Sequence, residues 1–288
     1  MAPEGIVLIA VLCAALMHAT WNAILKSAGD RLISLAAQDC VMFTLGCMLL
    51  LIAPFPAPEA WPFIAASSGV HIFYRAFLLK AYRYGDLSRV YPVARGSAPL
   101  WVAMAGLAIG DDVLTIAGFM SVSLIALGII SLIFSRAYGG MTLGRAKWDR
   151  GLTYAFATGV VIAIYSVIDS RGVRLSDSVL GYIGLLFATE CIPVPAFVLA
   201  TRRKDLVKTM RANGFGGVYG GVFAVTGYGL VIWAFTQASA AQVVALRETS
   251  VIFGAIIGAY ILKEGFGPRR VFSAGLVALG VILLRMTG

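Results

Sequence analysis

Residues 123–132 read "SLIALGIISL", and residues 275–284 read "GLVALGVILL". Six of the ten aligned positions are identical, and two more exchange Ile for Val. A Gly falls at the same place in each copy. Apolar stretches this alike, one near the middle of a chain and one at its end, read as the two closing segments of a duplicated unit. The search for the unit runs outward from them.

The 288 residues are 60% hydrophobic and 13% charged, with a mean hydropathy of +0.89. A soluble protein carries about 25% charged residues, so this is the composition of a chain dissolved in lipid. Ten apolar runs are long enough to cross about 30 Å of hydrocarbon as helices. They cover 4–26, 32–53, 59–82, 86–108, 113–134, 151–171, 177–201, 214–237, 241–262 and 267–285. The first run has no basic segment before it and no small-residue cleavage site after it, so it is expected to be a retained span. Cys13, Cys40, Cys47 and Cys191 all fall inside runs and form no CxxC pair. They read as small apolar packing residues.

The repeat extends upstream with a one-residue shift. "AYRYGDLSRVYPVARGSAPL" from Ala81 then lies over "AFTQASAAQVVALRETSVIF" from Ala234. Each long run ends in an acidic turn, "GDD" at 110–112 and "KEG" at 263–265, before a short closing span. Earlier in each half, Trp21-Asn22 lies over Tyr165-Ser166. Two halves follow, 1–140 and 145–288, with five spans each. An odd number of spans turns the second copy upside down in the membrane. The expected fold is thus all-α, with ten transmembrane helices in two inverted five-helix repeats around a central cavity. Inverted repeats are a transporter architecture, with substrate held near the midplane.

The net charge of +9 is a matter of topology. Seventeen Lys and Arg residues lie in the odd-numbered connections, against three in the even connections and termini. By the positive-inside tendency the odd connections face the cytoplasm. Both termini are then expected in the periplasm, with the chain in the inner membrane.

With these features the chain resembles the drug/metabolite transporter superfamily, in particular the ten-span proteins built from two EamA repeats. The resemblance is carried by "MHATWNAILK" (17–26), by "LxALG" closing each half, and by the acidic turn before each closing span. It implies a basket-shaped bundle with spans 3, 4, 8 and 9 lining the cavity. It also implies export of amino acids or similar small metabolites.

Ionisable groups at mid-span are costly toward lipid and usually face a bundle interior. His18, Trp21 and Asn22 share one face of span 1, and His71, Tyr74 and Arg75 one face of span 3. Tyr91 and Arg95 share a face of span 4, Glu190 lies in span 7, and Arg247 and Glu248 adjoin in span 9. These eleven residues are the expected substrate-binding set. On an unbroken helix, neighbours diverge by about 100°, so Arg247 and Glu248 are not expected to pair with each other. The repeat alignment puts Arg95 at the position of Glu248, which predicts that these two meet. Arg247 is then left for Glu190 or for substrate.

Three functions compete. A cavity rich in Arg and His favours a small carboxylate-bearing metabolite, because Arg binds carboxylate through two parallel hydrogen bonds. Efflux of lipophilic cations calls for an acid in the first span, where this chain has His18. An intramembrane enzyme would need a nucleophile elbow, HExxH or paired-carboxylate motif, and none occurs. The expectation is therefore a secondary transporter and not an enzyme, with no cofactor and no metal. Its expected partners are the bilayer and a small-molecule substrate, with no nucleic acid, and it is expected to work as a monomer.

Overall fold

The computed structural model describes residues 4–84, 87–109, 115–131, 150–212, 216–260, 272, 275–277, 279–280 and 282–283. Both acidic turns and nearly all of the segment joining the halves lie outside these residues. Among the described residues all regular structure is helical. The helices are α1 (Glu4–Ser27), α2 (Arg31–Ile52), α3 (Trp61–Tyr84), α4 (Leu87–Ile109), α5 (Ile116–Ser131), α6 (Arg150–Arg174), α7 (Val179–Glu190), α8 (Pro193–Ala212), α9 (Gly216–Phe235), α10 (Ala240–Arg247) and α11 (Ser250–Tyr260). A 3-10 turn, Pro58–Ala60, leads into α3.

Each of the first nine apolar runs contains helix, and two of them are split. The seventh becomes α7 and α8, and the ninth becomes α10 and α11. Six helical segments among the described residues are long and apolar enough to cross a membrane, and α5 is a shorter apolar helix. Large apolar side chains stand exposed along them, with Leu51 at 85% and Ile116 at 84%. Outward apolar surface of this kind is unfavourable in water and neutral in lipid. The chain is a multi-pass membrane protein.

The described chain divides into two compact units. The first combines residues 1–72 with 168–237, and the second combines 73–167 with 238–288. Each takes segments from both halves of the sequence.

In the first unit α1 packs on α9, and α2 packs on α7, α8 and α9. Glycine makes these approaches possible. A Cβ on Gly46 would stand 2.9 Å from Gly184 O, and one on Gly184 would stand 3.0 Å from Gly46 O. The two backbones touch where no side chain fits, as small-residue contacts between membrane helices do. Helix starts carry their own donors and acceptors. The Asp30 carboxylate accepts from Ile33 N–H at the head of α2, and Ser178 Oγ accepts from Gly181 N–H at the head of α7. The connections are tied in pairs. Arg202 Nη2 lies 2.6 Å from Asp30 Oδ2, Ala57 N–H donates to Ser176 O at 2.9 Å, and Arg174 Nε–H donates to Phe235 O at 2.9 Å.

In the second unit α4 packs on α5 and α10. Ala81, Val90, Val93, Ala94, Leu152 and Ala155 form one buried apolar cluster. A Cβ on Gly128 would stand 2.9 Å from Val277 Cγ2, and one on Gly280 would stand 2.6 Å from Ile125 Cγ1. These four residues belong to the two copies of the closing segment, and Gly128 aligns with Gly280 as Ile125 does with Val277. The contact is reciprocal.

Candidate functional site

The ninth apolar run has a helix end in its interior. Ser239 caps α10 in a capping box with Gln242, and α10 stops at Arg247. Glu248 N–H still donates to Val244 O at 3.1 Å, but Thr249 N–H turns to Leu246 O and Val251 N–H to Glu248 O, each at 3.1 Å. The ladder thus tightens from four-residue to three-residue steps over this turn before α11 resumes at Ser250. The tighter turn corrects the expectation for Arg247 and Glu248. Arg247 Nη2 reaches Glu248 Oε1 at 3.3 Å, so the neighbours do pair. The divergence of adjacent side chains applies to a regular helix, and here the helix breaks between them.

Glu248 Oε1 also receives Arg95 Nη1 at 3.3 Å, the contact that the repeat alignment predicts. Arg95 and Arg247 are 2% exposed and Glu248 is fully buried. One carboxylate therefore serves two guanidinium groups, at distances longer than the ~2.8 Å of a tight charge-assisted bond. Tyr165 of α6 lies within electrostatic reach of Arg247, Arg95 and Glu248. Its ring meets Tyr74 of α3 edge-on, with centroids 5.7 Å apart. Arg75, the next residue on α3, is also buried. This group of five, Tyr74, Arg95, Tyr165, Arg247 and Glu248, lies wholly within the second unit.

The first unit holds another polar group. Glu190 ends α7, Cys191 caps it at φ −90°, ψ 4°, and α8 begins at Pro193. Proline cannot donate to the preceding turn, so the helix restarts instead of continuing. His71 Nδ1 lies 3.1 Å from Glu190 Oε2 and 2.9 Å from Ser67 O. Asp169 of α6, fully buried, accepts hydrogen bonds from Tyr182 Oη–H at 2.9 Å and from Tyr228 Oη–H. The Tyr228 ring meets the His71 ring edge-on at 5.9 Å.

The remaining expected site residues are placed as follows. His18, Trp21 and Asn22 associate along α1 itself. Trp21 Nε1–H donates to His18 Nδ1 at 3.1 Å, and Asn22 Nδ2–H donates to His18 O at 2.8 Å. Of the three residues on one face of span 3, His71 belongs to the first unit, and Tyr74 and Arg75 to the second. Glu190 has His71 and Arg247 has Glu248 as contacts, each within its own unit. Tyr91 is on α4, and its side chain lies outside the described residues.

Sequence reasoning used Tyr165 only to align the two halves, and it passed over Asp169, Asp39, Tyr182 and Tyr228. Asp39 on α2 is fully buried as well. With Asp39 and Asp169 included, the interior is less cationic than the shorter roll of mid-span charges implies, and the excess of Arg is a property of the second unit's group. Asp169 was detectable, since it stands four residues after Tyr165 on one helix face.

Three comparisons bear on identity. Residues 149–286 match the model of the EamA-like transporter family. An "Uncharacterized transporter" of Archaeoglobus fulgidus is 32% identical over 164 residues. That match takes in 56% of this chain and 56% of the relative, so the chain spans little more than half of the relative's length. A solved crystal structure superposes with a TM-score of 0.68 at 16% identity, covering 99% of this chain and 98% of its own. At that identity the likeness shows the fold. The second half of this helical membrane chain thus fills the pattern of the EamA-like transporter family, and the relative that it matches over little more than half its length is named a transporter.

Proposed function

We propose that the chain is a secondary transporter that exports small carboxylate-bearing metabolites, amino acids foremost, by alternating access. Its ten spans form two inverted five-span repeats in the inner membrane, with both termini in the periplasm. The reciprocal contact of Gly128 and Gly280 with each other's segments supports the repeat, as does the meeting of the equivalent positions Arg95 and Glu248.

The observation that carries the substrate class is the helix break at Arg247 and Glu248. It sets two buried guanidinium groups against one carboxylate. A buried pair of guanidinium groups favours an anionic group on the ligand, which Arg binds through two parallel hydrogen bonds. Arg95 or Arg247 turns from Glu248 to the ligand carboxylate. Tyr74 and Tyr165 supply aromatic faces for the rest of the molecule. Discontinuous helices in inverted-repeat transporters present substrate sites in the same way.

A thermal-shift series on the purified protein tests this reading, with each amino acid run beside the amine left when its carboxylate is removed. The acid-bearing member of some pair is expected to stabilise the wild type, and the amine is not. Arg247→Gln is expected to abolish that stabilisation. Stabilisation by amines or lipophilic cations, with none by the acids, would overturn the substrate class. Flux in vesicles and protection of cells against inhibitory amino-acid levels then identify the individual substrate.

A further inference from the structure

The second unit carries a row of aromatic rings that the substrate group does not use. Phe73, Phe77, Lys80 and Tyr84 recur at i, i+4, i+7 and i+11 on α3, which places them on one face. The start of α6 packs beside the end of α3, with Ala81, Leu152 and Ala155 in one apolar cluster. Tyr154 of α6 completes the row. The centroids of Phe73 and Phe77 are 6.3 Å apart, and those of Phe77 and Tyr154 6.1 Å. Tyr154 and Tyr84 stack at 5.8 Å with their planes 15° apart. Both ends of the row are open, with Phe73 59% and Tyr84 44% exposed.

Charge gathers at one end only. Lys80 Nζ is 5.2 Å from the Tyr154 centroid, and Arg83 Cζ is 5.7 Å from the Tyr84 centroid. Both side chains are exposed. Arg150, exposed too, stands four residues before Tyr154 on the same face of α6. Among the described residues of this unit Glu248 is the only acid, and it is buried with Arg95 and Arg247. No described carboxylate of the unit therefore neutralises Lys80, Arg83 or Arg150. A ring face covers one side of a cation. The other N–H groups of the ammonium, and the guanidinium fork, suit the oxygens of a phosphate.

We propose that this strip binds one anionic phospholipid, with its phosphate on Lys80, Arg83 and Arg150 and an acyl chain along Phe77 and Phe73. The dimensions fit a lipid. From Tyr84 to Phe73 the helix rises about 16 Å at 1.5 Å per residue, close to half of the ~30 Å hydrocarbon core. The cations thus stand at headgroup level when Phe73 stands near the end of an acyl chain. A belt of interfacial anchors would keep its rings at the headgroup level, and Phe73 lies three helical turns deeper. A soluble anion would use the cations and leave the open rings without a role. Basic pockets between membrane helices take anionic headgroups in this manner. The reading is independent of what the substrate group carries.

The test is native mass spectrometry of the full chain in detergent, titrated with phosphatidylglycerol and with phosphatidylcholine of the same acyl chains. The wild type is expected to bind one phosphatidylglycerol in preference to phosphatidylcholine. A cation beside an anionic headgroup is worth about fivefold in binding, so Lys80→Gln with Arg83→Gln should lose roughly 25-fold of that preference. Arg203→Gln with Lys204→Gln removes the same charge from exposed positions on α8 and should leave the preference in place. Phe73→Ala with Phe77→Ala should weaken both lipids alike. Glycerol phosphate, a headgroup without chains, should not compete. If the Lys80 and Arg83 double variant does not fold, Arg150→Gln decides by itself: a loss of about fivefold supports the site, and no loss overturns it. Equal losses from the two basic pairs would overturn it in favour of diffuse charge. Displacement of the lipid by glycerol phosphate would overturn it in favour of a soluble anion. A Lys80 and Arg83 variant that melts lower yet keeps the lipid preference would leave the cations as props for the rings alone, and would overturn it too.

Discussion

Arg95 and Glu248, from opposite halves of the sequence, meet through Nη1 and Oε1 at 3.3 Å in the interior of the second unit. Removing one member of a buried pair leaves a charge with a lost partner, at a cost of about 3–5 kcal/mol. Arg95→Glu or Glu248→Arg alone is therefore expected to abolish transport or folding. The double exchange restores one carboxylate beside two guanidinium groups and should recover part of the loss, with a coupling of about 0.5–3 kcal/mol. Thermal unfolding of the three variants measures it. A double exchange no better than the worse single would show that the two side chains act independently.

The reciprocal glycine contact gives a second prediction. A Cβ on Gly280 would meet Ile125 Cγ1 at 2.6 Å and backbone atoms, Ile125 N and Ser121 O, at 3.0 Å. Backbone cannot yield as a flexible side chain does. Gly280→Ala is expected to destabilise the protein by about 1–3 kcal/mol, and Gly128→Ala, facing Val277 N at 3.0 Å, should do likewise. Gly69→Ala on α3 is the control, because a Cβ there meets nothing within 4 Å. Helix propensity alone makes that change neutral or stabilising. Equal melting temperatures for Gly69→Ala and Gly280→Ala would remove the close approach as the reason for the glycine.

A third prediction concerns acid. Burial pushes the Asp30 carboxyl up, but hydrogen bonds from Arg202 and from Ile33 N–H outweigh it and hold the group below its ordinary value. A carboxyl with a lowered folded-state pKa contributes stability above its unfolded value, and loses it as pH falls through the folded one. Both side chains are partly exposed, so the effect is small and screened by salt. Asp30→Asn should melt below the wild type at pH 7 in low salt. The difference should close as pH falls below about 4. A gap that persists unchanged at lower pH would assign the role of Asp30 to capping geometry alone.

The helical, membrane-crossing character was legible because lipid imposes length and apolarity on every crossing segment, and six described segments meet both demands. The Arg95–Glu248 contact was legible because the alignment of the two halves of the sequence puts these residues at equivalent positions. The break after Arg247 was not. No Gly or Pro marks residues 247–250, and the tighter turn goes with a buried charge, Arg95, that comes from another helix. At Glu190 the signal was present as Pro193, which reads equally as a packing kink. Asp169 shares a helix face with Tyr165, but Ser170 and Arg171 beside it make it look like the edge of the membrane. Its partners Tyr182 and Tyr228 stand on two other helices, and nothing local in the sequence joins them.

The last prediction is the orientation of the chain. Alternating spans put the odd-numbered connections on one side of the membrane and the even ones on the other. The described contacts respect that division. Asp30, between the first and second spans, meets Arg202 after the seventh, and both positions are odd-numbered. Ala57, after the second span, bonds Ser176 after the sixth, and Arg174 there bonds Phe235 after the eighth, all even-numbered. In the second unit Lys80, at the end of the third span, lies 5.2 Å over the ring of Tyr154 at the start of the sixth, again on the odd side. Seventeen of the connecting and terminal Lys and Arg residues belong to that odd set and three do not, and basic connections stay in the cytoplasm. A reporter that matures only in the cytoplasm should thus give signal when fused after Lys204 and none when fused after Gly288. Signal from the Gly288 fusion, with silence from the one after Lys204, would reverse the orientation and with it the side from which substrate enters.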